Sequence, residues 1–418
     1  MKTLKPIIHN YVIQIGYSAT ALFGWSFLLF YLFDSGFSAI EILLQYLLLF
    51  VTATITSIYL KPAHTSRTIA KALIFRTLSF LLLVSFISKS QLYLAAIAFG
   101  LFIPQFWVPY KIDYYSAGTG YNTAMLSGVL SAIYPVLRLF VPLIGGLMAE
   151  HIGYPPIFII SVFLLLALAV FSLFSPGRKV EYNLKAANHA TRKIQPLVII
   201  EGITSVDMMI IVPLITLTMV DSEVNYGLFL SVISIFGVIA SLIMSHRSDK
   251  KQQRVEFIYP TAICTGILML IAAFTHTLLW WTIILGLATF TMRIMIPFYE
   301  TVVLDLRNGL ADAMQMREVM INVGRIIGVL IIIACYAVFR SFYPSLMVVS
   351  VFTISYPFIL SRRKIYPKSD PIGIYFKDRL TNFMKSLGFM FPYLLPRKLK
   401  EKRDKLFYQW KYNNGKMK

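Results

Sequence analysis

The sequence has few charged residues and few cysteines for its length. Only 14% of its 418 residues are charged, against about 25% in soluble domains. Acidic residues are the scarcer kind, 19 against 39 lysines and arginines. The two cysteines, Cys264 and Cys335, fall inside apolar runs, where thiols serve packing, so we expect no disulfide, zinc site or redox role. No glycine-rich phosphate loop precedes a Lys-Ser or Lys-Thr pair, which excludes a P-loop ATP-driven motor.

The sequence also lacks the residue patterns of a soluble enzyme. Its six histidines are scattered over loops and the ends of apolar runs and do not have metal-ligand spacing; they are His9, His64, His151, His189, His246 and His276. We therefore predict neither an enzyme nor a cofactor.

Long apolar runs dominate the chain instead. Hydrophobic residues make up 57% of the sequence, and a bilayer-spanning helix needs about 20 mostly apolar residues. Backbone polar groups in lipid must be satisfied internally, which leaves helices or a closed barrel, and these runs do not alternate as barrel strands do. We therefore predict an all-α polytopic membrane protein with twelve transmembrane helices, at roughly 10–33, 38–60, 71–88, 91–110, 124–148, 155–175, 196–219, 225–245, 256–275, 277–303, 318–339 and 343–361. The first run is too long for a signal-peptide core and is taken as a span.

A basic loop divides the runs into two sets of six. The predicted organisation is an amino-terminal six-helix bundle (1–175), a cytoplasmic linker (176–195), a carboxyl-terminal six-helix bundle (196–365) and a basic cytoplasmic tail (366–418). A shift of 187 residues places Asp34 on Asp221 and Thr20 on Asp207. This weak internal similarity favours two equivalent halves.

The distribution of the formal charge of +20 indicates membrane topology rather than nucleic-acid binding. Cations such as Lys61, Arg178 and Arg247 fall in alternate loops, whereas the remaining loops contain Asp34 and Glu223. Under the positive-inside rule, both termini are cytoplasmic. We predict a multi-pass protein of the cell membrane, with no nucleic-acid partner, and expect a monomer.

The tail carries most of the excess positive charge. From Arg362 to Lys418 there are 16 Lys/Arg and 4 Asp/Glu, so these residues contribute +12. Between about 373 and 395, apolar residues recur at steps of three and four; they include Phe376, Leu380, Phe383, Leu387 and Phe391. This spacing predicts an amphipathic helix lying on anionic lipid headgroups. A disordered basic tail that only enforces topology is the alternative.

Three segments resemble the major facilitator superfamily, and the resemblance covers residues 8–365. Residues 245–254 are similar to the family's gating loop and contain Asp249, Lys250 and Arg254. Residues 142–146 are similar to a Gly/Pro-rich motif of its fifth helix, and 317–325 to the start of its eleventh. The resemblance implies two six-helix halves that give alternating access to a site between them. The matching loop of the first half, 60–67, lacks the acidic residue.

Ionisable residues inside the predicted spans are the strongest functional signal. Each costs about 2.5–3.5 kcal/mol near the bilayer centre, so it faces a cavity or a partner. Because ionising a carboxyl in a dry cavity is costly, the candidates for proton coupling are Asp207, Glu201 and Glu300. The candidates for substrate binding are Arg138, Arg293, Arg325, Asn322, Gln14, Tyr17 and Trp25.

Structural roles compete with these hypotheses. Asp207 is a candidate partner of Arg325 in a purely structural ion pair, and Arg293 is a candidate counterion of Glu300. Tyr17 and Trp25 are equally typical of packing. Interfacial solvation is the simpler explanation for Lys111, Asp113 and Glu318, which are placed near the inner surface.

The predicted function is secondary active transport of a small solute by alternating access, with the proton as the candidate coupling ion. Two alternatives stay open. One is a non-transporting membrane sensor or assembly protein that acts through its basic tail. The other is a lipid or lysolipid translocator, which requires a cavity open sideways to the bilayer.

Overall fold

The computed structural model describes residues 4–85, 88–116, 123–247, 255–305, 309–363 and 365. Within these residues nearly all of the backbone is helical, because apolar runs in lipid must satisfy their hydrogen bonds internally. The helices are α1 (Leu4–Thr20), α2 (Leu28–Asp34), α3 (Ala39–Ile58), α4 (Thr65–Val84), α5 (Lys89–Ser116), α6 (Thr123–Arg138), α7 (Val141–Ile152), α8 (Tyr154–Leu173), α9 (Leu184–Thr191), α10 (Gln195–Val206), α11 (Val212–Thr216), α12 (Glu223–Arg247), α13 (Val255–Ala272), α14 (Leu278–Asp305), α15 (Leu310–Phe339) and α16 (Tyr343–Arg362). We refer to α1–α8 as the first half and to α10–α16 as the second half. The predicted tail helix at 373–395 and the predicted gating residues Asp249, Lys250 and Arg254 lie outside the described residues.

Ten helical segments of the described chain are long and apolar enough to cross a membrane, which confirms the polytopic α-helical class. Two further helices occupy the places of the third and ninth predicted spans. The first, α4, carries Arg67, Lys71 and Arg76, and the apolar part of the second is only Ile258–Ala272. The count of twelve spans stays a prediction.

Local sequence explains where several helices begin. Ser38 and Glu41 form a capping box at the start of α3, in which the Ser38 amide donates to the Glu41 carboxylate at 2.9 Å. Proline, which has no N–H to lose, occupies the first turn of α7, α8, α10, α11 and α16. Gly153, with φ +79°, allows the sharp connection from α7 to α8.

Two π-helical turns interrupt the first spanning segment of each half. One covers Ala21–Trp25, between α1 and α2, and the other covers Asp207–Ile211, between α10 and α11. They begin 186 residues apart, one residue from the shift that relates the halves in sequence. Such turns hold one extra residue and are frequent at functional sites.

Glycines set the closest helix contacts. Where α10 crosses α15, a Cβ on Gly324 would lie 2.1 Å from the Ile199 carbonyl oxygen, and one on Gly202 would lie 2.2 Å from that of Ile321. The α7–α12 crossing, which joins the two halves, has the same reciprocal pattern at Gly146 and Gly227. Small residues that let backbones touch are the usual helix interface in membranes.

The bundle has two ends that can be recognised by their contacts. At one, β1 (Ala63–His64) pairs antiparallel with β2 (Lys179–Val180), and we call it the ribbon end. The side chain of Gln315 donates to the Ser57 carbonyl oxygen there at 2.9 Å. At the opposite or far end, the Tyr154 hydroxyl donates to Asp34 Oδ2 at 2.9 Å and also contacts Glu223 Oε1. The predicted linker thus contains a strand and a helix, β2 and α9.

Candidate functional site

A buried group of charged side chains joins the two halves near the ribbon end. Lys111 Nζ, on α5, lies 2.5 Å from Glu300 Oε1, on α14. Tyr115, also on α5, donates to Glu300 Oε2. Arg317, on α15, donates to Glu201 on α10, and its Nη2 lies 3.9 Å from Glu300 Oε1. We call these five residues the charge cluster; it connects α5 of the first half with α10, α14 and α15 of the second.

The structure corrects the interpretation of three residues that were assigned to the membrane interface. Lys111 is only 8% exposed and Glu318 only 4%, and Asp113, also buried, accepts from Arg178 Nε at 3.1 Å. Lys111 and Asp113 have partners on another helix or in the linker, which their own helix does not reveal, whereas Glu318 accepts from Asn322 on the same helix. Arg317 was not a predicted site residue, although it is the central donor of the charge cluster.

The linker contributes a neutral donor to this end of the bundle. Tyr182 lies in the loop between β2 and α9. Burial, together with the nearby Asp113 carboxylate, raises the pKa of Tyr182 to about 12. This phenol therefore stays protonated at physiological pH.

A hydrogen-bonded chain leads from the charge cluster toward the middle of α15. Asn322 Nδ2 donates to Glu318 Oε1 at 3.1 Å, and Arg325 Nη1 donates to Asn322 Oδ1 at 2.9 Å. Arg325 Nε then donates to Ser205 Oγ on α10 at 3.3 Å. The stripe predicted on this helix face is present, and the partners of Arg325 in it are neutral.

Asp207 is a deeply placed carboxyl. It is the first residue of the second π-helical turn and is 3% exposed. Its Oδ1 has no hydrogen-bond partner, and no ion pair joins it to another residue in the described part of the chain. The expectation that Arg325 neutralises Asp207 is therefore wrong, because Arg325 is directed to Ser205 and Asn322.

Arg293 is not the counterion of Glu300, because Lys111 and Arg317 hold that carboxylate. The Arg293 guanidinium instead lies over the Tyr134 ring, 5.4 Å from its centroid. Among the described residues neither Arg293 nor Arg138 forms an ion pair, and Arg138 Nε is buried without a hydrogen bond.

The predicted aromatic and amide residues of the first half are packed into its interior. The Tyr17 ring packs against both Phe102 and Phe106, with ring centroids 5.1 and 4.7 Å away. Trp25 packs edge-on against Tyr46 and Phe99, with centroids 5.9 and 4.6 Å away. Gln14 Nε2 donates to Ser18 Oγ at 3.2 Å and leaves its Oε1 without a partner.

Arg76, which the sequence reasoning missed, sits inside this aromatic region. It is 1% exposed, and its guanidinium carbon lies 3.6 Å from the Phe99 ring centroid and 4.3 and 4.7 Å from those of Phe80 and Trp25. Its position eight residues before the end of α4 is the sequence signal that distinguishes it from the cations at the start of that helix.

A family model described as Major Facilitator Superfamily matches residues 72–329, more than half of the chain. The chain belongs to the Major Facilitator Superfamily. Members of this superfamily are transporters, not enzymes. No curated protein sequence matches the chain.

Solved structures of the superfamily share the fold. The human organic anion transporter MFSD10 (TETRAN) superposes with a TM-score of 0.63 at 10% identity, over 85% of this chain and 99% of that one. A single-residue variant of the E. coli fucose:proton symporter FucP gives 0.65 at 11% identity, over 87% and 100%. FucP in the outward conformation gives 0.60 at 10% identity, also over 87% and 100%. At such identities the likeness concerns the fold alone.

In this Major Facilitator Superfamily member, polar side chains from both halves meet at three levels. The charge cluster lies nearest the ribbon end. Arg138, Arg293 and Arg325 lie near the middle of their spanning segments, and the Tyr154 contact lies at the far end. The predicted site residues thus fall into distinct groups rather than one pocket.

Proposed function

We propose that this protein is a secondary active transporter that moves a small solute by alternating access. The observation that carries the proposal is the charge cluster, whose Lys111–Glu300 pair crosses from the first half to the second. If the halves rock apart at the ribbon end, this pair has to separate. Removing one partner of a buried pair costs about 3–5 kcal/mol, so binding or an ion gradient must offset its opening. MFSD10 and FucP, which share the fold, are an organic anion transporter and a fucose:proton symporter.

The contact at the far end supplies the second gate. Tyr154, in the first half, bridges Asp34 and Glu223, of which Glu223 belongs to the second half. This contact is more exposed than the charge cluster and contains one hydroxyl between two carboxyl groups. In the proposed cycle the two gates open in alternation, and the helices of each half move largely as rigid units.

The ribbon end faces the cytoplasm in this proposal, with both termini on that side of the cell membrane, the basic tail against anionic lipid and the protein a monomer. Cations such as Lys61 and Lys185 lie at the ribbon end, while Asp34 and Asp221 lie at the far end. In a variant without Cys264 and Cys335, we expect a membrane-impermeant maleimide to label Ser222→Cys in intact cells but not Lys185→Cys. In lysed cells both cysteines should be labelled. Labelling of Lys185→Cys but not of Ser222→Cys in intact cells would contradict the orientation.

Asp207 is the proposed proton carrier. A buried carboxyl with an unpartnered oxygen and no ion-pair partner among the described residues is costly to keep ionised. Asp207→Asn should therefore abolish proton movement that accompanies the solute while leaving exchange of solute for solute. Proton movement is measured with the protein reconstituted into liposomes that contain a pH-sensitive dye. Exchange of solute for solute is measured as counterflow of labelled solute. Asp221→Asn, at an exposed position of the far end, is the matched control.

Unchanged proton movement in Asp207→Asn would rule out this role. The buried carboxylates Glu201 and Glu300 are weaker candidates because both are already neutralised, by Arg317 and by Lys111 respectively. A variant in which proton movement and counterflow are lost together would place Asp207 in the structure or in solute binding, and not in coupling.

A further inference from the structure

We propose that the transported solute is an anion, and that its carboxylate, phosphate or sulfate-type group binds Arg138 and Arg293 beside the Tyr134 ring. The inference rests on the proposed function and names the class of solute. Arg138 lies within the span Val129–Ile152 and Arg293 within Leu278–Leu304. Each arginine is therefore near the middle of its spanning segment in sequence.

The two arginines have N–H donors without acceptors. A guanidinium has five N–H donors and no way to lose its charge at physiological pH. In the described part of the chain, no hydrogen bond or ion pair reaches either head group, and the Tyr134 ring centroid lies 5.4 Å from Arg293 Cζ. Tyr134 lies one helical turn before Arg138 on α6, so Arg293 packs beside the turn of the helix that carries Arg138.

Arg138 and Arg293 have no carboxylate partner among the described residues. Other buried cations have such a partner, as Arg317 has Glu201 and Lys111 has Glu300, or lie against several aromatic rings, as Arg76 does. Two guanidinium groups in a low-dielectric setting, by contrast, are satisfied together when a bidentate anion binds between them. The geometry thus favours an anionic ligand over a cation or a neutral solute.

A proline follows each arginine at the same spacing. Pro142 follows Arg138 by four residues, and Pro297 follows Arg293 by four. A proline has no N–H, so the carbonyl groups of the two arginines lose their usual intrahelical donor. At Arg138 the helix ends, and α7 begins after two residues. At Arg293 the helix α14 continues through Pro297, so the shared feature is a carbonyl group without its usual donor at each arginine.

The site lies between the halves. Arg138 belongs to α6 in the first half and Arg293 to α14 in the second, with α12 packed against both: a Cβ on Gly237 would lie 3.2 Å from Pro135 Cβ and 3.5 Å from Arg293 Cγ. Both arginines are partly accessible. An anion that bridges them ties the two halves together, so its binding is coupled to their relative position.

The test is thermal unfolding of the full-length protein in a neutral detergent with four probes: benzoate, inorganic phosphate, uncharged benzamide and cationic benzylamine. At least one anion should raise the Tm, whereas benzamide and benzylamine should not. For Arg138→Gln and Arg293→Gln, the Kd of that anion should rise roughly tenfold to a hundredfold. Arg67→Gln, which changes an exposed arginine of α4, should bind as the unmodified protein does.

The phosphate of a lipid headgroup is a second possible anionic ligand. Lysophosphatidic acid is therefore added to the probes to distinguish a lipid from a soluble anion. Stabilisation by that lipid alone would overturn the proposal of a soluble solute. Binding that is unchanged in both variants, or no stabilisation by any anion, would overturn the site. If the variants do not fold, phenylglyoxal modification of the unmodified protein decides, because a bound anion should protect Arg138 and Arg293 but not Arg67.

Failure of this inference is distinguishable from failure of the proposed function. Anion binding that is never accompanied by movement into liposomes would contradict transport and leave the site intact. Transport of an uncharged solute by a protein that binds no anion would support the transport function and contradict the anion site.

Discussion

Replacing Arg317 with methionine is expected to lower the free energy of unfolding by about 3–5 kcal/mol. Arg317 donates to Glu201 and lies 3.9 Å from Glu300, and the adjacent Glu318 is also buried. Methionine fills a similar volume and leaves Glu201 as a buried carboxylate without a counterion. The measurement is thermal unfolding of the purified protein, followed by intrinsic fluorescence.

The double variant Glu201→Met/Arg317→Met separates lost charge pairing from lost packing. It should recover most of the stability, because replacing a buried pair with apolar residues is often neutral. Arg67→Met, at an exposed position, should have little effect. Equal losses for Arg317→Met and Arg67→Met would show that the charge cluster does not stabilise the closed ribbon end.

Replacing Gly324 with alanine is the second substitution with a large expected effect, a loss of about 1–3 kcal/mol. The new Cβ would lie 2.1 Å from the Ile199 carbonyl oxygen and 2.9 Å from Gly202 Cα, so two backbones have to move apart. No flexible side chain is available to yield at this contact. The fall in Tm, measured by the same fluorescence method, gives the size of the effect.

Two related variants control this result. Gly202→Ala meets the Ile321 carbonyl oxygen at 2.2 Å and should be destabilised to a similar extent, while Gly309→Ala meets nothing closer than 3.5 Å and should not. A Gly324→Ala protein as stable as Gly309→Ala would mean that α10 and α15 do not touch through their backbones.

Hydropathy predicted the existence and the order of the helices better than their ends. The run at 318–339 becomes α15, which begins at Leu310. Its early residues are polar, and Gln315 and Arg317 find partners on α3 and α10. A hydropathy pattern assigns such polar residues to a loop because it contains no information on hydrogen-bond or ion-pair partners on other helices. For the same reason α4 begins at Thr65, ahead of the run at 71–88.

The sequence identified half of each buried ion pair. Glu201 and Glu300 stood out as acids inside spans, but their cations, Arg317 and Lys111, lie near predicted helix ends, where solvation is the simpler reading. Pairing between residues 116 and 189 positions apart depends on how the helices are arranged. The tail helix and the gating loop stay predictions.

The matching π-helical turns have a consequence for the history of the chain. A π turn arises when one residue is inserted into a helix, and here Ala21–Trp25 and Asp207–Ile211 place that insertion at nearly the same point of each half. Insertions at matching points are expected if the two halves descend from one six-helix unit whose first helix was already irregular. In the present chain only the second of the two turns contains an aspartate, Asp207.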